Sequence, residues 1–298
     1  MKDISIHTDL ACERCRADDD CEGVSFEKKK VGDTEIHTLS ITSKAASEKH
    51  KMAIGSYTTL VVPPLWDIDG DELNSSADAL TEVLSDYLKK ALSGRDVKGS
   101  KILVVGLGNR YLTADAVGPM TVKQISATNH ISEYESDVFT KYFHAKVITV
   151  SPGVMSQTGI ESADIIRGIC ELAKPDATIV IDALAARSCE RLATTIQLCD
   201  TGISPGSGIN NTRLAMNEHT LGCPTIAIGV PTVVDSATLV LDALEKAQCE
   251  SYKDGFFENL QEKSFFVSPK DCDAVTENAS HIISSAINSL LNKDLFKT

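Results

Sequence analysis

Two aspartates are predicted to lie in loops that follow parallel strands, where two carboxylates could share one site. Asp115 lies between a β-branched run and a helical pattern, and Asp182 directly follows the apolar run at 179–181. Two carboxylates that share a site resist joint ionisation, so the pKa of one is raised and that group stays protonated. One carboxylate can then deprotonate water while the other donates a proton to a scissile carbonyl. The pair therefore suits acid–base hydrolysis.

Each of these acidic residues also has a purely structural explanation. Asp115 falls near a helix start, where the helix dipole stabilises a carboxylate. Asp182 could cap a loop, and Arg187 could orient a carboxylate or form an ion pair on the surface. Asp235, in a further strand-to-helix loop, is predicted to start a helix rather than to catalyse. Spacing alone leaves the catalytic and structural explanations of Asp115 and Asp182 open.

Glycines mark two of the loops that could contact a ligand. Gly106 and Gly108 follow a strand, but a dinucleotide-binding fingerprint needs a third glycine at position 111, which is tyrosine. A nucleotide-binding Rossmann site is therefore excluded. The long loop 200–211 contains Gly206 and Gly208, which either let a peptide backbone approach closely or serve only as turn residues.

The elements that must position these loops alternate between strands and helices. Such alternation predicts an α/β fold with right-handed crossovers and a mostly parallel sheet flanked by helices. In such sheets the site lies beyond the carboxyl ends of the strands. Strands are predicted at 35–41, 57–62, 101–105, 146–150, 177–181, 192–198 and 224–229, and helices at 43–51, 76–92, 116–126, 162–172, 233–247 and 270–291.

Composition excludes several classes of protein. The net charge of −13 over 298 residues disfavours binding to nucleic acid. No apolar run approaches the length of a membrane span, and the N-terminus has no apolar signal region, which predicts a cytoplasmic protein. Cys170, Cys199 and Cys223 lie in apolar patterns and are predicted to be small buried hydrophobes.

The first 35 residues are polar and charged, and are predicted to form a mobile or loosely docked arm. Three cysteines cluster there, at Cys12, Cys15 and Cys21. Cys12 and Cys15 have the spacing of zinc ligands, but no second pair follows at a suitable distance. No zinc site is therefore predicted.

Several loop motifs follow one another from about residue 100 to 245. They are Gly106-Leu-Gly-Asn109, Thr113-Ala-Asp115-Ala-Val-Gly118-Pro119, Ser151-Pro-Gly-Val154, Asp182-Ala-Leu-Ala-Ala-Arg187, Asp200-Thr-Gly-Ile-Ser-Pro-Gly-Ser-Gly208 and Ala227-Ile-Gly-Val-Pro-Thr-Val-Val-Asp235. In this order the motifs resemble the germination protease family of spore-forming bacteria, and a weaker match returns at the N-terminus, over His7-Thr-Asp9-Leu-Ala11.

The resemblance implies an endopeptidase that degrades small acid-soluble spore proteins during germination. It implies an atypical aspartic peptidase, with Asp115 and Asp182 as the catalytic carboxylates and Gly206, Gly208 and Arg187 as substrate-binding residues. The implied assembly is a homotetramer in the forespore and spore core, with no direct contact to nucleic acid or membrane.

The implied fold is similar to that of hydrogenase maturation proteases, a phosphorylase/hydrolase-like fold in which the equivalent acidic positions bind nickel. In this chain His144 precedes a strand, at the wrong end of it to act as a third ligand. We therefore expect neither a metal nor another cofactor.

The family is made as a zymogen, and the matching cut falls between Asp9 and Leu10. Residues 1–9 would be the propeptide and 10–298 a single peptidase domain, with 10–35 as the mobile arm. Asp9-Leu-Ala11 resembles the family's substrate pattern, an acidic residue before an apolar one and alanine. The chain is therefore expected to process itself.

Two other functions compete with this one. A metal-dependent maturation-type peptidase would be inhibited by a chelator. A non-enzymatic module would use the glycine-rich loops to hold a peptide or nucleotide, and would not digest a spore protein.

Overall fold

The strands of the chain form one sheet in the computed structural model, which describes residues 8–15, 22–205, 213–248 and 265–292. Within these residues the sheet has nine strands. They are β1 (Val24–Val31), β2 (Thr34–Ile41), β3 (Gly55–Val61), β4 (Lys101–Gly106), β5 (Lys146–Val150), β6 (Ala177–Ala186), β7 (Thr195–Cys199), β8 (Thr225–Asp235) and β9 (Phe266–Val267).

Helices connect and cover the strands. Two short 3-10 turns, Thr113–Asp115 and Cys189–Arg191, supplement them. None of the helices in the described ranges is long and apolar enough to cross a membrane. The helices are α1 (Ala11–Arg14), α2 (Lys44–His50), α3 (Gly70–Ala91), α4 (Val117–Lys123), α5 (Asn129–Tyr134), α6 (Ser136–Tyr142), α7 (Met155–Thr158), α8 (Ser162–Ala173), α9 (Glu218–Leu221), α10 (Ser236–Lys246) and α11 (Cys272–Leu291).

The strand order is β1-β2-β3-β7-β8-β6-β4-β5, with β9 paired to β8. The strands β5, β4, β6 and β8 are parallel neighbours, while β7, β3, β2 and β1 extend the sheet with antiparallel pairs. The α/β class predicted from the alternation is confirmed. Asp182 lies on one of the parallel strands, β6, and the turn that carries Asp115 follows another, β4.

Alternate residues of the central strands pack against opposite layers of helix. Val104 packs with residues of α3 and α11, whereas Leu103 and Val105 pack with Ile166 and Cys170 of α8. Burial on both faces explains why β4 is a continuous apolar run. Cys170, Cys199 and Cys223 are buried, as predicted.

The segment predicted to be a mobile or loosely docked arm contains regular secondary structure in the part that is described. Residues 10–15 contain α1, with Leu10 and Cys15 buried, and residues 22–35 contain β1, which pairs with β2 along its whole length. The polar composition of β1 reflects its place at the edge of the sheet, where six of its eight residues are exposed. Charged side chains are a common protection of such edges. Cys21 lies outside the described residues.

The helix predicted at 76–92 begins earlier, at Gly70. Its start is fixed by a capping box, in which the Glu72 amide donates to the Asp69 carboxylate at 2.9 Å and the Asp69 amide donates to the Glu72 carboxylate at 3.1 Å. Ser76, where the helix was predicted to begin, is buried within it. The prediction located the C-terminal end of the helix to within one residue but placed its start six residues too late.

Strands β6 and β8 run further than predicted, to Ala186 and Asp235. They stay paired beyond the predicted ends, with a register shift between Leu184 and Ala185. The predicted helix at 233–247 therefore starts only at Ser236. Asp235 accepts a bond from the Ala237 amide at 2.8 Å, which confirms its predicted role at a helix start.

Replacing Asp69 by alanine removes the side-chain half of the α3 capping box. Loss of such a cap costs about 1 kcal/mol, so we expect Asp69→Ala to lower the free energy of unfolding by about that amount in urea denaturation. Asp78→Ala, at an exposed position of the same helix, is the control and should change stability by less than about 0.5 kcal/mol. Equal effects of the two substitutions would contradict the cap.

Candidate functional site

A cavity of about 240 Å³ lies beyond the carboxyl end of β4, and the two predicted aspartates both line it. Its other charged lining residues are Asp9, Glu161 and Arg213. Apolar side chains complete the wall, among them Leu112, Val154, Leu214 and Phe266. Asp115 and Asp182, on which the chemistry was predicted to depend, therefore line the same cavity.

Asp182 is placed by the sheet itself. It lies within β6, not in a loop after it as the apolar run suggested, because β6 continues to Ala186. Its predecessor Ile181 pairs with Gly106, the last residue of β4. Asp182 is thus one residue beyond the end of the neighbouring strand, and its side chain is only 6% exposed. The Ala183 amide donates to its carboxylate at 2.9 Å.

Asp115 is placed by the 3-10 turn that precedes α4. Its half-buried carboxylate accepts a bond from the Asn109 amide at 2.9 Å. Hydroxyl groups fix the turn: Thr232 on β8 donates to Ala114 O at 2.6 Å and Thr276 on α11 donates to Thr113 O at 2.9 Å. The cap residue of α4 is Ala116, which makes no side-chain cap bond. Asp115 is therefore not the side-chain cap of α4, although it directly precedes the start of that helix.

Two glycines let this turn approach β6. Gly108 has φ +110°, and a Cβ atom there would lie 2.0 Å from the backbone oxygen of Asp115. A Cβ atom at Gly118 would lie 2.3 Å from Leu107 O and 2.7 Å from Ile181 O. The glycines thus serve close backbone packing that brings the Asp115 turn against the strand of Asp182.

The two carboxyl groups differ in electrostatic environment. Burial, then the nearby charges of Asp115 and Asp9, raise the pKa of Asp182 well above its ordinary value, against smaller lowering effects of the Ala183 amide and Arg213. Burial also raises the pKa of Asp115, while the Asn109 amide and then Arg213 act to lower it. Of the two groups, Asp182 is therefore the one that holds a proton more readily, because it is more deeply buried and lies near two other carboxylates.

The structure places two charged residues at the cavity that were not predicted as parts of its wall. Asp9 was predicted only as a cleavage residue, and Arg213 was not singled out. Arg187 is exposed at the end of β6 and is not among the residues that line the cavity. Its predicted contact with substrate stays a prediction. Arg213 has no local motif, and only its place after the glycine-rich loop could have drawn attention to it.

Gly206 and Gly208 lie outside the described residues, so their predicted contact with substrate also stays a prediction. The described residues on either side of that segment, Pro205 and Arg213, both line the cavity.

A metal site was not expected, and among the described residues no group of three or more histidine, cysteine, aspartate and glutamate side chains could hold a metal ion. Cys15 is buried, with its Sγ atom 3.7 Å from His50 Nε2, and Cys12 is half-buried. The prediction that the chain binds no metal is not tested by this arrangement.

Comparison with known proteins adds the family context. A family model described as germination protease matches residues 2–248. The germination protease of Clostridium acetobutylicum is 37% identical over 322 residues, covering 98% of this chain and 96% of the relative. That of Caldanaerobacter subterraneus is 37% identical over 317 residues with the same coverage. That of Oceanobacillus iheyensis is 42% identical over 228 residues, covering 76% of this chain and 61% of the relative.

Among solved structures, the [NiFe] hydrogenase maturation protease HycI from Thermococcus kodakarensis KOD1 matches with a TM-score of 0.36. It is 14% identical, and the match covers 70% of this chain and 99% of that protein.

Replacing Asp182 by asparagine is expected to stabilise the protein at neutral pH. The native state holds the Asp182 proton more tightly than the unfolded state, in which the pKa is near 3.8. Wild-type stability therefore falls as pH rises from about 3.8 towards the native pKa, by about 1.4 kcal/mol for each unit of elevation. Asparagine cannot ionise, so urea denaturation should show a gain for Asp182→Asn that is larger at pH 7 than at pH 4. A difference that does not vary with pH would contradict the raised pKa.

Proposed function

Since this chain belongs to the germination protease family, and is on that ground a peptidase of spore germination, we propose that Asp115 and Asp182 together hydrolyse peptide bonds in its protein substrate. One observation carries the proposal. Two carboxyl groups of unequal burial line one cavity, and the pKa of Asp182 is raised well above its ordinary value, whereas the rise in the pKa of Asp115 is opposed by the Asn109 amide and Arg213. Such a difference between the two groups is what an acid–base pair requires.

In the proposed reaction Asp115 is the general base and Asp182 the general acid. The Asp115 carboxylate removes a proton from water, whose oxygen attacks the peptide carbonyl carbon. Asp182 donates its proton to the carbonyl oxygen, giving a tetrahedral diol. The proton on Asp115 then passes to the leaving nitrogen, the C–N bond breaks, and one hydroxyl proton of the diol returns to Asp182. No covalent intermediate and no metal are needed.

The substrates that we propose are small acid-soluble spore proteins, cleaved in the spore core by a homotetramer. The support for these finer points is the resemblance of the loop motifs. An atypical aspartic mechanism is proposed on the same resemblance together with the geometry of Asp115 and Asp182.

Self-processing between Asp9 and Leu10 is proposed on a structural observation as well. Asp9 lines the same cavity as Asp115 and Asp182. The proposed cut is therefore next to a residue that shares a cavity with the proposed catalytic pair, which favours an intramolecular reaction.

We expect Asp115→Asn and Asp182→Asn each to slow digestion of a small acid-soluble spore protein on the order of 10²–10⁴-fold, because each removes one proton-transfer group. The assay uses the form that begins at Leu10, so that a failure of self-processing does not hide the effect. Product formation is followed by gel electrophoresis and mass spectrometry, with and without a chelator.

The matched control is Asp164→Asn, which removes a carboxylate that pairs with Arg167 on α8 at 2.7 Å. This variant should digest the protein at the wild-type rate, and the chelator should have no effect. Full activity of either Asp115→Asn or Asp182→Asn, with folding intact by circular dichroism, would remove that residue from the chemistry. Inhibition by chelator would favour the metal-dependent alternative.

Arg213→Gln is expected to move the pH profile of kcat/KM to higher pH. The positive charge of Arg213 lowers the pKa of both carboxyl groups, so its removal raises both. Activity needs Asp115 charged and Asp182 protonated, and both the acidic and the alkaline limb should therefore move upward. Lys174→Gln, at the far end of α8, is the control. A shift to lower pH in Arg213→Gln would contradict the assignment.

A further inference from the structure

The chain's own residues 8–15 lie in a groove beside the proposed catalytic pair. Asp9 pairs with Ala185 on β6: the Asp9 amide donates to Ala185 O at 3.1 Å, and the Ala185 amide donates to the Asp9 carboxylate at 3.0 Å. Both backbone polar groups of Ala185 are thus used by one acidic residue. They lie just after the register shift in the pairing of β6 with β8.

Gln197 on β7 holds the same segment from the other side. Its Nε2 atom donates to Asp9 O at 3.2 Å, and its Oε1 atom accepts from the Ala11 amide at 2.6 Å. The first contact is to the Asp9–Leu10 peptide and the second to the next peptide. One amide side chain, only 8% exposed, therefore grips the backbone on both sides of Leu10, whatever side chain stands there.

Gln197 and the proposed acid belong to one row of the sheet. Asp182 pairs with Gly229, and Gly229 pairs with Gln197, so the two side chains project from the same face. Gly229 has no side chain, and the side chain of Leu184 packs over it. Two strand spacings of about 4.8 Å separate the outer members of the row. A peptide held by Gln197 is therefore held over the face that carries Asp182.

The side chain of Leu10 fills an apolar pocket. It is fully buried and clusters with Leu184, Ala186 and Val234. Asp9 lies at the boundary of two open spaces: it lines the cavity of the aspartate pair and a second cavity of about 240 Å³, which Gln197 and Gly229 also line. The groove therefore has room for chain beyond the residues that now occupy it.

The side chain of Glu13 anchors the N-terminal segment 8–15 in the groove. Its carboxylate accepts bonds from the amides of Arg187 and Ser188, each at 2.8 Å, and from the hydroxyl of Thr8. The Arg14 guanidinium donates to Thr8 O at 2.6 and 3.0 Å. Glu13 lies after the proposed cut, so its bonds to the amides of Arg187 and Ser188 would persist once Asp9–Leu10 is cleaved.

We propose that this groove is the substrate-binding groove of the peptidase. Gln197 binds the substrate backbone, and an apolar pocket of Leu184, Ala186 and Val234 receives the side chain of the residue after the cut. Glu13 holds the chain's own residues 9–11 in the place that a substrate would take. The ligand is an extended peptide with an acidic residue followed by a large apolar one. A substrate has to displace residues 9–11 to bind. The cleavage step rests on the proposed function, but the binding does not.

The test measures binding of a fluorescein-labelled peptide that copies residues 6–11, Ile-His-Thr-Asp-Leu-Ala, by fluorescence anisotropy. The protein is the full chain with Asp115→Asn, so that the peptide is not consumed. Adding Glu13→Ala should tighten binding at least tenfold, because the competing segment is released. Adding Glu48→Ala instead, at an exposed position of α2, should change nothing.

Gln197→Ala, added to the Glu13→Ala chain, should weaken peptide binding at least tenfold. Gln197→Glu serves as a second variant, because it keeps the size of the side chain and the acceptor for the Ala11 amide but loses the donor to Asp9 O. It should also weaken binding. Gln124→Ala is the matched control. A peptide with aspartate in place of leucine should not bind, since the pocket is apolar.

Equal binding with and without Glu13→Ala would overturn the proposal that this groove binds substrate. Full binding by both Gln197 variants, with folding confirmed by circular dichroism, would also overturn it. The proposed function fails separately. Peptide that binds as expected but is never cut by the chain with Asp115 intact would leave the groove standing and reject the peptidase chemistry. If the peptide is cut at the same rate with and without Gln197→Ala, the peptidase chemistry stands and the role of the groove is rejected.

Discussion

The burial of one carboxyl group inside a strand is the constraint on which the site depends. Asp182 lies within β6, nearly without contact to water, so an isolated charge there would be costly. Holding a proton removes most of that cost, and a second carboxylate nearby reinforces the effect. The strand thus supplies a neutral acid at pH values where an exposed aspartate would be charged.

The second carboxylate has to come close without becoming neutral as well. The turn that carries Asp115 approaches β6 through Gly118, where a larger residue would overlap the backbone of Leu107 and Ile181. The amide of Asn109 and the charge of Arg213 act against the effect of burial on Asp115. Strand, turn and helix therefore produce an asymmetric pair from two identical side chains.

Local patterns predicted the central strands, the longer helices and the two aspartates, but not β1 at the edge of the sheet or the interactions between distant segments. The run at 177–181 located β6, yet its extension to Ala186 depends on pairing with β8, and no pattern in either segment alone reveals it. Likewise, Gln197 lies in the strand predicted at 192–198, and nothing in that pattern marks it as a binding residue. Its role depends on Asp9, far away in sequence, because hydrogen bonds between distant segments leave no periodic signal. The motif order located Asp115 and Asp182 because each is part of a loop with several matching neighbours.

The register shift after Leu184 also bears on how the molecule avoids aggregation through unpaired strand groups. Past this irregularity, the amide and carbonyl of Ala185 bond to Asp9. Uncovered strand groups of this kind recruit strands from other molecules and start aggregation. The N-terminal segment therefore also covers strand groups of Ala185 that would otherwise be open to pairing with another chain.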